Sequence, residues 1–366
     1  MKFRCEKSTL DEVLATARRA AAGRSSGMQV LSGVKLDLRG DQLSVTGSDL
    51  ELTVRVTADV GGIADGSCVV LASLASDIVK SLSDGKVEVS LEGDELAITC
   101  ERASFSVRTM ELEQYPRLAE PTGDALSLPA AQVAQALKRV VKAASTDESR
   151  PILTGVRMEP VEEGGLRMVA TDSYRLALSD LAGTGSVLSG HKVLVPSKAL
   201  GELIRVLDET GDVTIRLGER DVTFETGSVK LTTRLIEGEF PNYRQLIPSS
   251  YPNVLEVDKA ALIDAVRRMR ILTTETKNIR LRLSSDGIEL SAVNQEWGKG
   301  SEVVDATYDG AELVVAFNPD YLIAGLEGVP SETALLQTLD AMKPAVLRGK
   351  DDMSGYLYLL MPVRVS

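Results

Sequence analysis

Residues 43–56 read LSVTGSDLELTVRV, and this pattern returns twice later in the chain. It recurs as LRMVATDSYRLALSDL at 166–181 and, more loosely, as IELSAVNQEWGKGSEVVDATY at 288–308. Asp49, Asp172 and Asn294 occupy equivalent points in the three copies. The period of roughly 122–124 residues is much longer than one solenoid module, so the repeated unit is a whole domain. We therefore expect three similar domains in this chain.

Each copy is followed by a strand that leads into a helix. The three segments are VVLASLASDIVKSL from Val69, VLVPSKALGELIRVL from Val193 and LVVAFNPDYLIAGL from Leu313, in which Ser73, Ser197 and Pro319 are equivalent. Pro, Gly and Ser cluster at 120–129 and 247–257, as is typical of linkers. These clusters predict three domains, with bounds at 1–122, 123–252 and 253–366.

The strand and helix patterns favour an α+β fold. Residues 86–110 and 212–235 alternate polar and apolar residues, which predicts antiparallel strands, and Gly93-Asp94 predicts a turn. Apolar residues at helical spacing predict six helices, at 8–22, 73–82, 129–143, 197–207, 258–271 and 319–326. We expect Ser8 to cap the first helix, with Asp11 and Glu12 in its first turn, and Pro129 and Pro319 to open two others. Each domain would then hold two helices packed on antiparallel sheets.

The composition indicates a folded protein of the cytoplasm. The chain has 366 residues, of which 43% are hydrophobic and 26% are charged. No apolar run approaches the length of a membrane span, and MKFRCEKSTLDEV at the start has no apolar signal core. The three cysteines, Cys5, Cys68 and Cys100, are widely spaced and predict reduced thiols.

Charge is distributed unevenly between helices and strands. The six predicted helices carry 12 Lys and Arg against 7 Asp and Glu, whereas the rest of the chain carries 29 against 46, within a net charge of −12. One interpretation is that basic residues complement the carboxyl ends of helices. The alternative is that the helices form one basic surface that attracts phosphates without reading sequence.

Several distant motifs resemble one family. ATDSYRLA at 170–177, EFPNYR at 239–244 and YLLMPVRVS at 358–366, together with the repeated domain, are similar to the bacterial DNA polymerase III beta subunit, the sliding clamp. The similarity covers essentially the whole chain. It implies a head-to-tail homodimer, in which six domains form a ring and helices line a hole around double-stranded DNA, bound without sequence preference.

The resemblance also implies protein partners and a pocket that binds them. The expected partners are the DNA polymerase III alpha subunit, the clamp loader, and other polymerases and repair proteins that carry QLxLF-type motifs. The residues that match the family's peptide pocket are Leu153, Thr171, Tyr174, Arg175, Leu176, Pro241, Leu246, Leu359, Met361 and Pro362. Apolar side chains would form a slot, and Thr and Arg would orient backbone groups at its edge. For any one of these residues alone, packing in the core is the alternative.

Two further sets of residues follow from the resemblance. Those matching the subunit interface are Phe105, Ser106, Val107 and Arg108 of one strand, and Ile271 and Leu272 opposite it. The candidates for facing DNA are Arg24, Arg139, Lys142, Lys198, Arg205 and Arg268.

An enzyme is the competing class. His191 is the only histidine, and the chain has neither a GxxxxGK[ST] phosphate loop nor an HExxH motif. We therefore expect no catalysis, no cofactor and no metal. A structural or storage protein would leave the charge distribution unexplained. A duplicate clamp, retained for resistance to a clamp-binding antibiotic, is a further alternative that the sequence leaves open.

Overall fold

The structure of the chain is a computed structural model. The residues that it describes are 1–23, 27–116, 123, 125–161, 164–182, 190–273, 278–350 and 355–364. The chain divides into two compact units, of which the first holds residues 1–131 and 202–235 and the second holds residues 132–201 and 236–366. The middle third of the sequence therefore contributes to both units.

The six predicted helices are confirmed. They are α1 (Lys7–Arg18), α2 (Ala72–Ser81), α3 (Ala130–Val140), α4 (Ser197–Val206), α5 (Lys259–Arg270) and α6 (Pro319–Gly328). Pro319 takes the first position of α6, as predicted, and Asn318 caps that helix by accepting from the backbone N–H of Asp320 at 2.9 Å. Asp258 caps α5 in the same way, by accepting from the N–H of Ala261 at 2.7 Å.

Two predicted helix starts are wrong. α1 begins at Lys7, directly after a strand, so Ser8 lies inside the helix and makes no cap. Asp11 pairs instead with Lys7, one turn earlier, at 3.4 Å. Pro129 ends a strand, and α3 begins one residue later. Both helices continue directly from a strand, and no side-chain cap marks the start of α1, so the sequence pattern does not locate these starts.

Strands are the most abundant secondary structure in the described chain. In the first part they are β1 (Lys2–Glu6), β2 (Gly33–Arg39), β3 (Gln42–Ser48), β4 (Leu52–Asp59), β5 (Gly61–Ala64), β6 (Gly66–Leu71), β7 (Lys86–Glu92), β8 (Glu95–Cys100), β9 (Ala103–Met110) and β10 (Ala125–Pro129). They continue as β11 (Gly155–Val161), β12 (Gly165–Thr171), β13 (Arg175–Ala182), β14 (Val193–Pro196), β15 (Asp212–Leu217), β16 (Asp221–Thr226), β17 (Val229–Arg234) and β18 (Asn253–Asp258). The last are β19 (Ile279–Ser284), β20 (Gly287–Asn294), β21 (Gly298–Val304), β22 (Ala306–Asp309), β23 (Leu313–Phe317), β24 (Thr333–Thr338), β25 (Ala345–Gly349) and β26 (Leu357–Leu360).

Antiparallel pairing joins these strands into three sheets. In the first unit the order is β10-β15-β16-β17-β4-β3-β2-β6-β9-β8-β7-β1-β5. In the second unit one sheet runs β14-β11-β12-β13-β26-β25-β24-β18-β22 and the other runs β21-β20-β19-β23. Gly93, with φ +64°, lies in the predicted turn between β7 and β8. The α+β prediction is confirmed.

The repeated motif makes the same turn in each of its three copies. The Asp49 side chain accepts from the N–H groups of Glu51 and Leu52, at 3.0 and 2.7 Å. Asp172 accepts from residues 174 and 175, both at 2.9 Å, and Asn294 from residues 296 and 297, both at 3.0 Å. A short carboxylate or amide side chain can bond the backbone two and three residues ahead, which closes the turn between two strands. This shared requirement explains why the motif recurs.

Two strand pairings join predicted domains to each other. β17 pairs with β4, with Leu231 opposite Val54. β13 pairs with β26, with Leu176 opposite Leu359. In both cases a strand of the predicted central domain continues the sheet of a neighbouring one. The domain bounds themselves stay a prediction.

The cysteines are free thiols, as expected. Burial raises the pKa of Cys5 to about 11 and that of Cys68 to about 12. These thiols therefore stay protonated and poorly nucleophilic at neutral pH. In the part of the chain that the structure describes, no helix is long and apolar enough to cross a membrane.

Two tyrosines hold α6 in place: Tyr356, directly before β26, and Tyr358, within β26. The Tyr356 hydroxyl donates to the carbonyl of Gly325 at 2.8 Å, and the Tyr358 hydroxyl donates to the carbonyl of Tyr321 at 2.9 Å. The rings lie so close to the helix that a Cβ on Gly325 would stand 2.5 Å from the Tyr358 ring. Glycine is required at this contact because any larger residue would push the helix off the strand.

We expect Gly325→Ala to destabilise the protein by about 1–3 kcal/mol, because the added methyl group overpacks the contact with Tyr358. Thermal unfolding followed by circular dichroism would measure the change. Gly201→Ala is the matched control, since Gly201 also lies in a helix but has open space around its Cβ position. That control should be neutral or stabilising. An equal melting temperature for both variants would contradict the tight packing.

Candidate peptide-binding site

An apolar floor lies on one face of the nine-stranded sheet. The register places Leu176 opposite Leu359 and Leu178 opposite Leu357, and Val346 of β25 lies opposite Leu359. Because side chains alternate between the faces of a strand, these five residues share one face. They are buried in a cluster that also contains Val169, Leu194, Phe240 and Tyr243.

The connecting segment 236–251 packs over this floor. Ile236, Phe240, Tyr243, Ile247 and Tyr251 of that segment lie against the apolar cluster. A short 3-10 helix, Tyr243–Leu246, forms the nearest wall. The other side of this segment is exposed to solvent.

The predicted pocket residues divide into a floor and a rim. Leu176 and Leu359 belong to the buried cluster, and Thr171 lies opposite Leu176 in the sheet. Leu153, Pro241 and Leu246 are sequence neighbours of Ile152, Phe240 and Ile247, which belong to the cluster or pack against it. Leu153 is itself buried. The described rim is more open, with exposed fractions of 61% for Tyr174, 49% for Leu246 and 38% for Met361. Pro362 is partly buried.

The turn 171–175 connects the rim to the floor. Ser173 adopts φ +81°, and Thr171 Oγ1 donates to the carbonyl of Arg175 at 2.7 Å. The N–H of Met361 donates to the carbonyl of Tyr174 at 2.9 Å. This bond brings two predicted pocket residues together from segments far apart in sequence.

Arg175 is held inside the protein. Its Nε donates to Asp172 at 2.9 Å, and its guanidinium lies 4.2 Å from the centroid of the Tyr321 ring. Burial lowers the pKa of Arg175, but Tyr358 and Asp172 outweigh it and raise that pKa overall. These contacts favour a role in shaping the rim.

A buried ionic network supports the wall of the site. The Glu159 side chain is 1% exposed and accepts from the Tyr243 hydroxyl at 2.5 Å, from Arg157 Nε at 2.8 Å and from Arg244 Nη2 at 3.0 Å. Burial raises the pKa of Glu159, but the Tyr243 hydrogen bond and the charges of the two arginines outweigh it, so that this pKa falls below its ordinary value. The network therefore anchors the 3-10 helix to β11.

Several residues of the site were missed by the sequence analysis. Val346, Ile247 and Tyr251 contact the floor, and Tyr321 stacks on Arg175. The short apolar run at 345–347 in β25 was the available signal for Val346. Ile247 and Tyr251 fall in a stretch that was interpreted only as a linker, because linker composition says nothing about which of its side chains are buried.

The candidate DNA-facing residues are largely compensated by acids. Lys142 pairs with Glu327 at 2.9 Å, Arg268 with Glu302 at 2.5 Å and Arg205 with Glu202 at 3.0 Å. Arg139 lies 5.8 Å over the Tyr356 ring, Lys198 is exposed, and Arg24 lies outside the described residues. The helices therefore present less uncompensated positive charge than the count along the sequence suggested.

The candidate interface residues lie at exposed edges. β9 pairs with β8 along 103–108, but with β6 only at Thr109 and Met110, so its other edge is unpaired among the described residues. In this stretch Ser106 donates to Glu95, Phe105 is exposed and Val107 is buried. Ile271 follows α5 and is 72% exposed. β21 is an edge strand of the four-stranded sheet.

Three repeated α+β domains, joined by strands that continue from one sheet into the next domain, are the architecture of the class of sliding clamps. Residues 1–119, 127–242 and 244–364 match the profiles of the N-terminal, central and C-terminal domains of the DNA polymerase III beta subunit. The chain belongs to this family.

Similar proteins match over their full length. The beta sliding clamp of Streptomyces coelicolor is 31% identical over 377 residues, which cover 100% of this chain and 100% of that protein. The beta sliding clamp of Staphylococcus aureus is 30% identical over 378 residues, which cover 100% of this chain and 99% of that protein. The structure of a Pseudomonas aeruginosa sliding clamp bound to griselimycin superposes with a TM-score of 0.93 at 30% identity, and that of the Bacillus subtilis clamp with 0.93 at 29%. Each of the two superpositions covers 100% of this chain and 100% of the compared chain.

Family membership establishes the general function. The protein is a sliding clamp that acts as a processivity factor for DNA polymerase III in DNA replication, and the family is not catalytic. A dimeric ring and DNA binding are general properties of the family, so DNA, a polymerase and a second copy of the chain are its partners. No specific support emerged for a duplicate clamp retained for antibiotic resistance. No three His, Cys, Asp or Glu side chains of the described residues form a metal-binding group.

We expect Glu159→Gln to destabilise the protein by about 2–3 kcal/mol at pH 7, because Arg157 and Arg244 lose their shared buried counter-charge. Since the folded-state pKa of Glu159 is lowered, its contribution is complete above the ordinary pKa of 4.5 and is lost as the pH falls through the folded value. Urea unfolding between pH 3 and pH 7 should therefore show a weaker acid dependence in the variant.

Glu88→Gln provides the control for this prediction. Hydrogen bonds and charges from Lys2 and Arg4 also lower the pKa of Glu88, but this carboxylate is at the surface, where water screens its charge. Its unfolding midpoint should hardly move. If Glu159→Gln behaved like this control at pH 7, the network would not anchor the wall.

Proposed function

We propose that this clamp binds short QLxLF-type peptides over the floor formed by Leu176, Leu359 and Val346. Through them it would tether the DNA polymerase III alpha subunit, the clamp loader, and other polymerases and repair proteins. The observation that carries the proposal is the contrast between a buried apolar floor and an exposed apolar rim at one face. Exposed apolar side chains around such a floor are typical of a surface that is covered by a partner.

The chemistry of the rim suits this class of ligand. Leucine and phenylalanine side chains of the motif would gain by leaving water for the floor, at roughly 25 cal/mol per Å² of buried apolar surface. Met361 has an unbranched thioether that adapts to different side chains, which suits a site with many partners. The described pocket set, Leu153, Thr171, Tyr174, Arg175, Leu176, Pro241, Leu246, Leu359, Met361 and Pro362, would form this site.

We propose further that two copies close head to tail into a ring in the cytoplasm. The unpaired edge of β9 in one copy would add to β21 of the other, with Phe105, Ser106, Val107 and Arg108 along the seam. Ile271 and Leu272 would bury their exposed apolar surface across it. An edge strand completed by another chain is a recurrent form of such a contact.

Within the ring, the DNA-facing side would carry Arg24, Arg139, Lys142, Lys198, Arg205 and Arg268. The partial compensation of Lys142, Arg205 and Arg268 by acids supports weak, salt-dependent contacts. Weak contacts suit a protein that encircles DNA and moves along it, since strong phosphate binding would hold it in place.

The double substitution Leu246→Ala with Met361→Ala should weaken binding of a fluorescein-labelled QLSLF peptide by about 10- to 100-fold, because two rim side chains are lost from the contact. Both residues are exposed, so folding should be preserved. Fluorescence polarisation with the full chain measures the affinity. Leu74→Ala, an exposed leucine of α2, is the control and should bind normally. Unchanged affinity in the double variant would remove the rim from the site.

The double substitution Ile271→Ala with Leu272→Ala should shift the dimer toward monomer at nanomolar concentration, since apolar surface at the seam is lost. Sedimentation velocity with fluorescence detection gives the mass. Ile63→Ala, which truncates an exposed isoleucine of β5, should leave the dimer intact. The same mass for the double variant and the control would disprove this seam.

A further inference from the structure

The candidate peptide site has an exposed apolar rim at one end of the nine-stranded sheet. Tyr174 lies two residues before Leu176 of β13, and Met361 lies two residues after Leu359 of β26. Because side chains alternate along a strand, both rim residues are on the same face as the floor. The two strands are antiparallel, so both residues also lie at the same end of the sheet, where the Met361 N–H donates to the Tyr174 carbonyl.

The same alternation carries the rim onto β24. Gln337 of β24 lies opposite Val346, which belongs to the floor. Leu339 follows Gln337 by two residues, directly after the end of β24, and is 38% exposed. The loop 339–344 joins β24 to β25 at the end of the sheet where β26 reaches Met361. Leu339 therefore continues the exposed apolar row by two strands.

Met342, in the same loop, is 59% exposed. The Asp340 side chain accepts from the backbone N–H of Met342 at 2.7 Å and from that of Lys343 at 2.9 Å. Asn253 Nδ2 donates to the carbonyl of Leu339 at 3.1 Å. These bonds hold the loop that presents the two apolar side chains. A loop that is already ordered loses little conformational entropy when a partner binds.

The position of Leu339 and Met342 separates them from scattered surface residues. Single exposed apolar side chains are normal, whereas a row of them is typical of an interaction site. Neighbouring strands are about 4.8 Å apart, so β24 lies about 10 Å from β26, a distance that an extended peptide covers in about three residues. A peptide that contacts Met361 therefore reaches Leu339 and Met342 with residues close to or just outside its core motif.

We infer that Leu339 and Met342 form an additional subsite, which takes an apolar residue that flanks the QLxLF-type motif of a partner. This inference rests on the proposed peptide-binding function. Apolar surface on the flanking residue would leave water at this subsite, and the flexible thioether of Met342 adapts to side chains of different shape. The subsite therefore ranks partners that share the core motif, and those with an apolar flank bind more tightly than those with a polar flank.

The test uses the full chain and fluorescein-labelled QLSLF peptides that are extended by three serines at each end. One serine at a time is replaced by leucine. We expect leucine at one position to tighten binding about three- to tenfold relative to the all-serine peptide, because part of its side chain is buried. Fluorescence polarisation measures the affinities.

The double substitution Leu339→Ser with Met342→Ser should remove this gain and leave the affinity for the plain QLSLF peptide unchanged. Both residues are exposed, so folding should be preserved. The conservative variant Met342→Leu should keep the gain. The matched control is Met28→Ser with Leu74→Ser, which removes an exposed methionine and an exposed leucine, each 43% exposed, from the other compact unit. It should leave the gain intact.

The plain peptide separates the two levels of the proposal. If plain QLSLF binds but no leucine position gains, or if the gain survives the double substitution, the subsite is wrong and the peptide site stands. A double variant that weakens plain QLSLF as much as the extended peptides would also overturn the subsite, since the loop would then contact the core motif itself. If plain QLSLF fails to bind the unsubstituted protein, both the peptide site and the subsite are overturned.

Discussion

The antiparallel pairing of β13 with β26 is the contact on which the candidate binding site depends. It sets Leu176 beside Leu359, although the two residues come from different predicted domains. On the opposite side of the same segment, Tyr356 and Tyr358 hold α6 through its backbone carbonyls. A shift of one residue in this register would turn the leucines toward the helix and the tyrosines toward the apolar cluster. The site and the helix packing are therefore consequences of a single register.

Two carboxylates of the second unit, Glu159 and Asp172, make structural contacts inside the protein. Glu159 gathers two arginines and a tyrosine hydroxyl in a buried network, which fixes the wall. Asp172 engages the backbone of its turn and the side chain of Arg175. Because these groups are satisfied inside the protein, they shape the site but contribute few free hydrogen bonds to a ligand.

The helices and the repeated turn were predictable from the sequence because both depend on local spacing. Asp49, Asp172 and Asn294 bond backbone groups two and three residues ahead, so their role is contained in a few consecutive positions. The helix starts at Lys7 and Ala130 were predicted incorrectly, because each helix follows a strand without a break in the chain. The pairing of basic helical residues with acids was also missed, since partners such as Lys142 and Glu327 are far apart in sequence.

The sequence by itself determined the three repeats, the α+β class, the six helices and the resemblance to sliding clamps, since period, alternation and motifs are properties of neighbouring residues. It also indicated Leu176 and Leu359 as pocket residues through that resemblance. Only the tertiary structure decided that they form a cross-strand pair and that Ile247 and Tyr251 pack against the same apolar cluster. The physical reason is that register between distant strands follows from the packing of a whole sheet face, which no local pattern encodes.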